Sequence, residues 1–237
     1  MRTEPILLVH GFASSFELNW VRNGWPDLIR DANREVIAVD LLGHGTAEKP
    51  ADPHAYVDLE RCVLEAIAGR GVVDAVGFSL GGVTLLRAAA KAPDRFARIV
   101  IGGVGEGSMR TNDPEPVAAA IEAGLANIGN DETPENRMAR AFAQFAANGT
   151  NDPKALAACM RRPVGRLTPE ELSGVRAAVL LVCGDRDFVM PTEPVSMALS
   201  NAESVATTIL RNVDHFGTPQ AFGFIDAALQ FLDALPS

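Results

Sequence analysis

The chain has no basic run, no metal-ligand spacing and no apolar stretch of membrane-spanning length. Each of these gaps removes a class of function. Its 237 residues carry 21 basic and 30 acidic side chains, a net charge of −9. An acidic surface without a basic cluster repels phosphate backbones, so neither nucleic acid nor an anionic membrane is the expected partner. There is no His-x-x-x-His, no Cys-x-x-Cys and no dense carboxylate cluster, and no metal is expected. Gly102-Gly103-Val104-Gly105 is glycine-rich but lacks the Gly-x-Gly-x-x-Gly dinucleotide fingerprint, and no cofactor is expected. The three cysteines, Cys62, Cys159 and Cys183, are odd in number and scattered, which does not suggest a disulfide framework. The apolar run Ile6-Leu7-Leu8-Val9 is too short for a signal-peptide core, so a cytoplasmic protein is expected. Internal repeats and low-complexity segments are also missing.

What is present is an ordinary soluble composition, 47% hydrophobic and 22% charged, enough for a large core. The most informative stretch is Val72 to Val83, where a short apolar run meets Gly77-Phe78-Ser79-Leu80-Gly81 and then an Ala/Leu-rich segment. The run reads as a buried parallel strand and Leu80 to Lys91 as a helix. Between them the backbone reverses within a few residues. Small neighbours at 77 and 81 permit that, leaving the Ser79 hydroxyl on a strained, exposed turn. The helix N-terminus beneath it offers unpaired N–H groups and a positive dipole end, suited to negative charge developing on oxygen.

In chain order, strands are expected at Ile6–Val9, Glu35–Val39, the run before Ser79, Phe96–Ile101, Ala177–Val182 and Val205–Leu210. Helices are expected at Trp20–Asp31, Tyr56–Ala68 and Leu80–Lys91, then Thr192–Leu199 and Pro219–Leu235. This alternation implies an α/β fold, a mostly parallel sheet with helices on both faces. It breaks between Val104 and Val175, where only helices are expected: 116–128, 135–148, 152–160 and one opening at Thr168. Asp152 before Pro153, and Thr168 before Glu171, are the capping signals. The expected organisation is a core of residues 1–103 and 176–237, with a helical cap or lid over 104–175.

The residues His10-Gly11, Asp40-Leu41-Leu42-Gly43-His44-Gly45, Gly77-Phe78-Ser79-Leu80-Gly81, Gly184-Asp185-Arg186-Asp187 with Pro191, and His215 resemble, in this order, the α/β-hydrolase family. The resemblance covers the whole chain except 104–175. Many relatives carry two extra strands before the His-Gly strand. Here that strand begins near residue 5, so about six parallel strands are expected. The resemblance implies a Ser79, Asp187, His215 triad, with Asp187 chosen over Asp185 because the family places the acid three residues after the glycine. It further implies an oxyanion hole from the backbone N–H groups of Phe12 and Leu80. Of the other histidines, His10 and His44 read as structural and His54 as solvated.

Met138, Phe142 and Phe145 share one apolar stripe of the expected cap helix, and Val189 and Phe216 follow the acid and the base. All five are candidate substrate-binding residues around an apolar pocket; for the stripe the alternative is packing of the lid onto the core. The implied activity is hydrolysis of a small or medium carboxylic ester through an acyl-enzyme, with a small apolar acyl or ester substrate as partner. Three alternatives remain. One is carbon–carbon bond hydrolysis of ring-cleavage products, whose enzymes usually have Asn or His-type residues before the serine and Trp after the base, where this chain has Phe78 and Phe216. The others are cofactor-free perhydrolysis, as in the haloperoxidases that the Gly-Phe-Ser-x-Gly-Gly string resembles, and small-molecule reception by a retained triad.

Overall fold

A computed structural model describes residues 2–111, 113–124, 133–147 and 149–235. Six strands, β1 (Ile6–Val9), β2 (Val36–Val39), β3 (Val73–Phe78), β4 (Phe96–Gly102), β5 (Ala178–Gly184) and β6 (Val205–Leu210), form one sheet in the order β2-β1-β3-β4-β5-β6. Every neighbouring pair is parallel. The strands β1, β3 and β5 are buried along their whole length, which is why they read as apolar runs, broken in β3 only by Asp74, which pairs with the buried Arg34.

Alternation along each strand divides the core in two. Leu7, Val9, Ala75, Ile99, Ile101, Val179 and Leu181 face one way. They meet α2 (Glu60–Ala66), α3 (Leu80–Lys91) and α8 (Glu193–Ala198) through Val63, Leu85 and Val195. Ile6, Leu8, Val76, Val100, Leu180 and Val182 face the other way. There they pack on α1 (Trp25–Asp31) and α9 (Phe222–Phe231) through Trp25, Ile29, Phe224 and Leu229.

Between β4 and β5 come α4 (Glu115–Ala123), α5 (Pro134–Ala147), α6 (Pro153–Met160) and α7 (Pro169–Leu172), with no strand among the described residues. Asp152 caps α6 by accepting the Lys154 N–H, and Thr168 with Glu171 closes a capping box on α7. Of the helix expected over 116–128, residues 125–128 lie outside the described residues, as does residue 148 of the helix expected over 135–148.

The expected helix over 20–31 is two pieces. A wide π-type turn spans Glu17–Val21, where the Arg22 N–H reaches back five residues to the Glu17 carbonyl at 3.1 Å. Gly24 then takes φ +77°, a left-handed conformation, and α1 starts afresh with Pro26 in its first turn. This break places Asn19 against the loop after β1. The expected helices over 56–68 and 219–235 are likewise shortened, each preceded by a 3₁₀ turn, at Pro53–Tyr56 and Thr218–Gln220.

Candidate active site

In a wholly parallel sheet all C-terminal strand ends share one edge, where ligands of open α/β sheets bind. Here that edge gathers the loops after β1, β3, β5 and β6. Ser79 follows β3 directly and sits at φ 51°, ψ −115°, outside the usual range for a residue with a Cβ. Such a conformation costs on the order of 1–3 kcal/mol and persists only when its surroundings fix it. They do so here. The Ser79 N–H donates to the Gly102 carbonyl at 2.8 Å, and its own carbonyl accepts the Val83 N–H at 2.9 Å. A Cβ at Gly77 would stand 2.8 Å from the Gly81 carbonyl oxygen, and one at Gly81 would collide with the carbonyl oxygens of Val9 and His10. The turn therefore closes only with glycine at both positions.

His215 Nε2 lies 2.8 Å from the Ser79 Oγ. Its Nδ1 lies 2.9 and 3.0 Å from the two carboxylate oxygens of Asp187. A carboxylate only accepts, so Nδ1 carries the proton and the bare Nε2 accepts the serine hydroxyl. Asp187 is fixed in turn, because its Oδ1 also accepts the Val189 N–H at 3.0 Å. Asp187 and His215 are both buried, whereas Asp185 is exposed and spends Oδ1 on the Asn212 N–H at 2.7 Å. The His215 ring is held by Phe188 at 4.4 Å, Phe78 at 5.1 Å and Phe216 at 5.6 Å between ring centroids.

The loop after β1 is braced from several sides. The Gly11 N–H donates to Asn19 Oδ1 at 2.9 Å, and the Phe16 N–H to Asp40 Oδ1 at 2.7 Å. His10 Nε2 accepts the Leu41 N–H at 3.0 Å, which leaves Nδ1 to donate to the Gly11 carbonyl at 2.8 Å. Asn151, on the segment between β4 and β5, donates to the Ser14 carbonyl and accepts the Gly45 N–H. Among the described residues, neither the Phe12 nor the Leu80 N–H finds an acceptor. Those are the two groups that the sequence pairs as oxyanion donors.

Burial pushes the pKa of His10 down, and it pushes His44 down to about 3, with His10 nearby adding to the effect. Both rings are therefore neutral at pH 7. They form a structural pair, with centroids 5.2 Å apart, beneath Phe12.

A cleft of about 350 Å³ opens on Ser79 and His215. Its apolar wall includes Phe12, Phe142, Phe145 and Phe216. Phe142 stands edge-on to Phe12, Phe188 and Phe216 at 6.0, 6.0 and 5.4 Å, so one α5 ring touches the loops after β1, β5 and β6. Met138 and Val189, both expected at the pocket, are not in its wall. Met138 lies a turn before Phe142 on α5 and is half-buried elsewhere. Val189 is buried with its backbone close against Gly105 and Gly107, and it serves the site through its N–H. Leu80 packs its side chain into the core and offers only its N–H.

Asn19 and Asn151 had no role in the sequence reading. Asn19 interrupts Leu18-Asn19-Trp20-Val21, and a buried amide in an apolar stretch is a signal that it has a partner to serve. Asn151 carries no comparable sign. Among the described residues no group of three or more His, Cys, Asp or Glu side chains gathers to hold a metal, and no helix is long and apolar enough to cross a membrane.

A sequence model of the alpha/beta hydrolase family matches residues 6–227. The chain belongs to that family. It has a parallel sheet of six strands. Among curated proteins it is 36% identical over 107 residues to the dihydrolipoyllysine-residue acetyltransferase component of an acetoin cleaving system from Pseudomonas putida. It is also 36% identical over 105 residues to a 2-hydroxymuconate semialdehyde hydrolase from Pseudomonas sp. strain CF600. These matches take in 43% and 42% of this chain but span only 28% and 36% of those proteins. A bromoperoxidase from Bacillus anthracis superposes with a TM-score of 0.71 at 21% identity, over 98% of this chain and 92% of that one, a likeness of fold.

Proposed function

We propose that this hydrolase cleaves a small or medium carboxylic ester through an acyl-enzyme on Ser79. The observation that carries the reading is the hydrogen-bonded series from Ser79 Oγ to His215 Nε2, and from His215 Nδ1 to Asp187. A serine hydroxyl is a weak nucleophile until a neighbouring base takes its proton, and His215 is placed to do so. As Oγ attacks the ester carbonyl, the proton passes to Nε2 and the carbonyl oxygen gains charge. The N–H groups of Phe12 and Leu80 receive that oxyanion, aided by the positive end of α3. The imidazolium is stabilised by Asp187 and returns its proton to the departing alkoxide, so an alcohol leaves. Water then repeats the sequence on the acyl-enzyme, with His215 as base, and releases the acid.

Residues 104–175 serve as the lid in this account. Phe142 and Phe145 of α5 supply part of the apolar wall, which supports an apolar acyl or alcohol group beside the scissile bond. Carbon–carbon bond hydrolysis is the second reading, favoured by the likeness to the 2-hydroxymuconate semialdehyde hydrolase. Phe78 and Phe216 beside His215 weigh against it. The test is steady-state hydrolysis of 4-nitrophenyl acetate through octanoate beside a vinylogous diketone, with Ser79→Ala as the blank. Ester turnover that disappears in Ser79→Ala supports the reading. Turnover of the diketone alone replaces it with the second.

A further inference from the structure

The cleft also has a polar lining that includes Asn19, Arg22, Asn23 and Gln220. Asn19 and Asn23 lie one helical turn apart with Arg22 beside them, so they share the cleft face of the segment that ends at Gly24. Asn19 Oδ1 is committed to the Gly11 N–H, and the Asn23 amide nitrogen to the Asn19 carbonyl at 2.9 Å. Among the described residues the Asn19 amide nitrogen has no acceptor, and Asn19 lines the cleft.

Arg22 is one of several exposed arginines with no carboxylate partner among the described residues, and the one of these that lines the cleft. Arg30, Arg61, Arg70 and Arg161 are each held by a carboxylate at 2.6–3.1 Å. Arg22 has no such partner among the described residues, and the described residues lining the cleft include no acidic side chain. In a protein with 30 acidic and 21 basic residues, an unpaired guanidinium on the wall of the reactive cleft is a local reversal of sign. A net charge of −9 disfavours the approach of an anion, so an anionic group settles in this cleft only against a specific cation. Arginine binds carboxylates through its planar fork, and a neighbouring amide donor suits the same oxygens.

We infer that the ester cleaved at Ser79 carries a carboxylate, bound by Arg22 with help from the Asn19 amide, while its apolar part lies against Phe142 and Phe216. The inference rests on the esterase reading above and narrows it to one substrate class. The carboxylate belongs to either the acyl or the alcohol part of the ester, and paired substrates separate the two. Mono-4-nitrophenyl glutarate against 4-nitrophenyl valerate tests the acyl part. 4-Carboxyphenyl butyrate against phenyl butyrate tests the alcohol part.

The readout is the ratio of kcat/KM, charged over neutral, within each pair. A partly exposed charge-assisted contact predicts a ratio of about five to ten in one pair at low salt, falling as ionic strength rises. Arg22→Gln should bring that ratio to about one or below, and Arg22→Glu should invert it. Arg61→Gln, on α2 outside the cleft, controls for net charge and should leave the ratio as it was. Ratios that ignore Arg22→Gln in both pairs would overturn the inference and make Arg22 a solvated surface cation. Neutral esters turned over through Ser79 with no charged preference defeat the inference alone. No turnover of any ester, charged or neutral, defeats the esterase reading and the inference together.

Discussion

Asn19 holds the Gly11 N–H on its side-chain oxygen at 2.9 Å, so a buried amide on one loop sets the backbone of another. Gly11 immediately precedes Phe12, whose N–H faces no protein acceptor among the described residues. The oxyanion donor of the proposed mechanism is thus positioned by a residue that does not itself take the charge.

Asn19→Leu keeps the volume and removes the acceptor. Leaving the Gly11 N–H unpaired costs about 1–3 kcal/mol. If the misplacement is felt in the transition state, kcat falls roughly ten- to hundredfold. KM for a short neutral ester should move much less. A lower melting temperature with kcat retained would give Asn19 a purely structural role.

Asp187 and Asp185 are two residues apart but in different settings. Asp187→Asn exchanges the acceptor that fixes the His215 tautomer for an amide, and should cost up to about 10⁴ in kcat. Asp185→Asn keeps an oxygen for the Asn212 N–H and should stay within a fewfold. Equal losses would show that the acid cannot be told from the turn residue.

The cleft wall predicts a split within the α5 stripe. Phe142→Ala or Phe145→Ala removes side chains worth roughly 1.5–3 kcal/mol when fully buried. The loss should fall on kcat/KM for octanoate over acetate esters, tens of fold at most. Met138→Ala, off the wall, should lower the melting temperature without changing that profile. A profile unaltered in all three variants would make the stripe core packing.

His44 sets an acid limit. Its folded pKa, about 3, lies below the ordinary value of 6.5, so the unfolded chain binds the proton first. The stability this contributes is complete above about pH 6.5 and is lost progressively as pH falls toward 3. His44→Asn keeps a donor for the Leu42 carbonyl, which His44 Nδ1 now meets at 2.9 Å. Melting temperatures from pH 7 to 4 should therefore fall less steeply in His44→Asn than in the parent. Parallel slopes would assign the acid sensitivity elsewhere.

The parallel sheet and the loops of the site were legible because their signals are local. Buried parallel strands are short apolar runs, and the elbow shows itself in the glycines at positions 77 and 81 on either side of Ser79. Helix ends were less legible: the segment over 20–31 has helical character, but Gly24 and Pro26 divide it and the π-type turn before them serves Gly11. The wall of the cleft was half legible. Periodicity placed Met138 with Phe142 and Phe145 on one stripe, yet only docking of α5 decides which part of a stripe reaches the cleft. Val189 shows the same limit, since sequence order placed it beside the acid while its backbone packs against Gly105 and Gly107 and it is absent from the cleft wall. Asn151 was invisible because its partners, Ser14 and Gly45, are more than a hundred residues away.

The most direct test of the account is covalent labelling of Ser79. A fluorophosphonate reacts with a serine that has a general base and an oxyanion site, and with little else. The account predicts one adduct per chain, mapped by peptide mass to Ser79. It predicts loss of ester turnover in step with labelling, and neither event in Ser79→Ala. Labelling at another serine, or ester turnover that survives in Ser79→Ala, would contradict it.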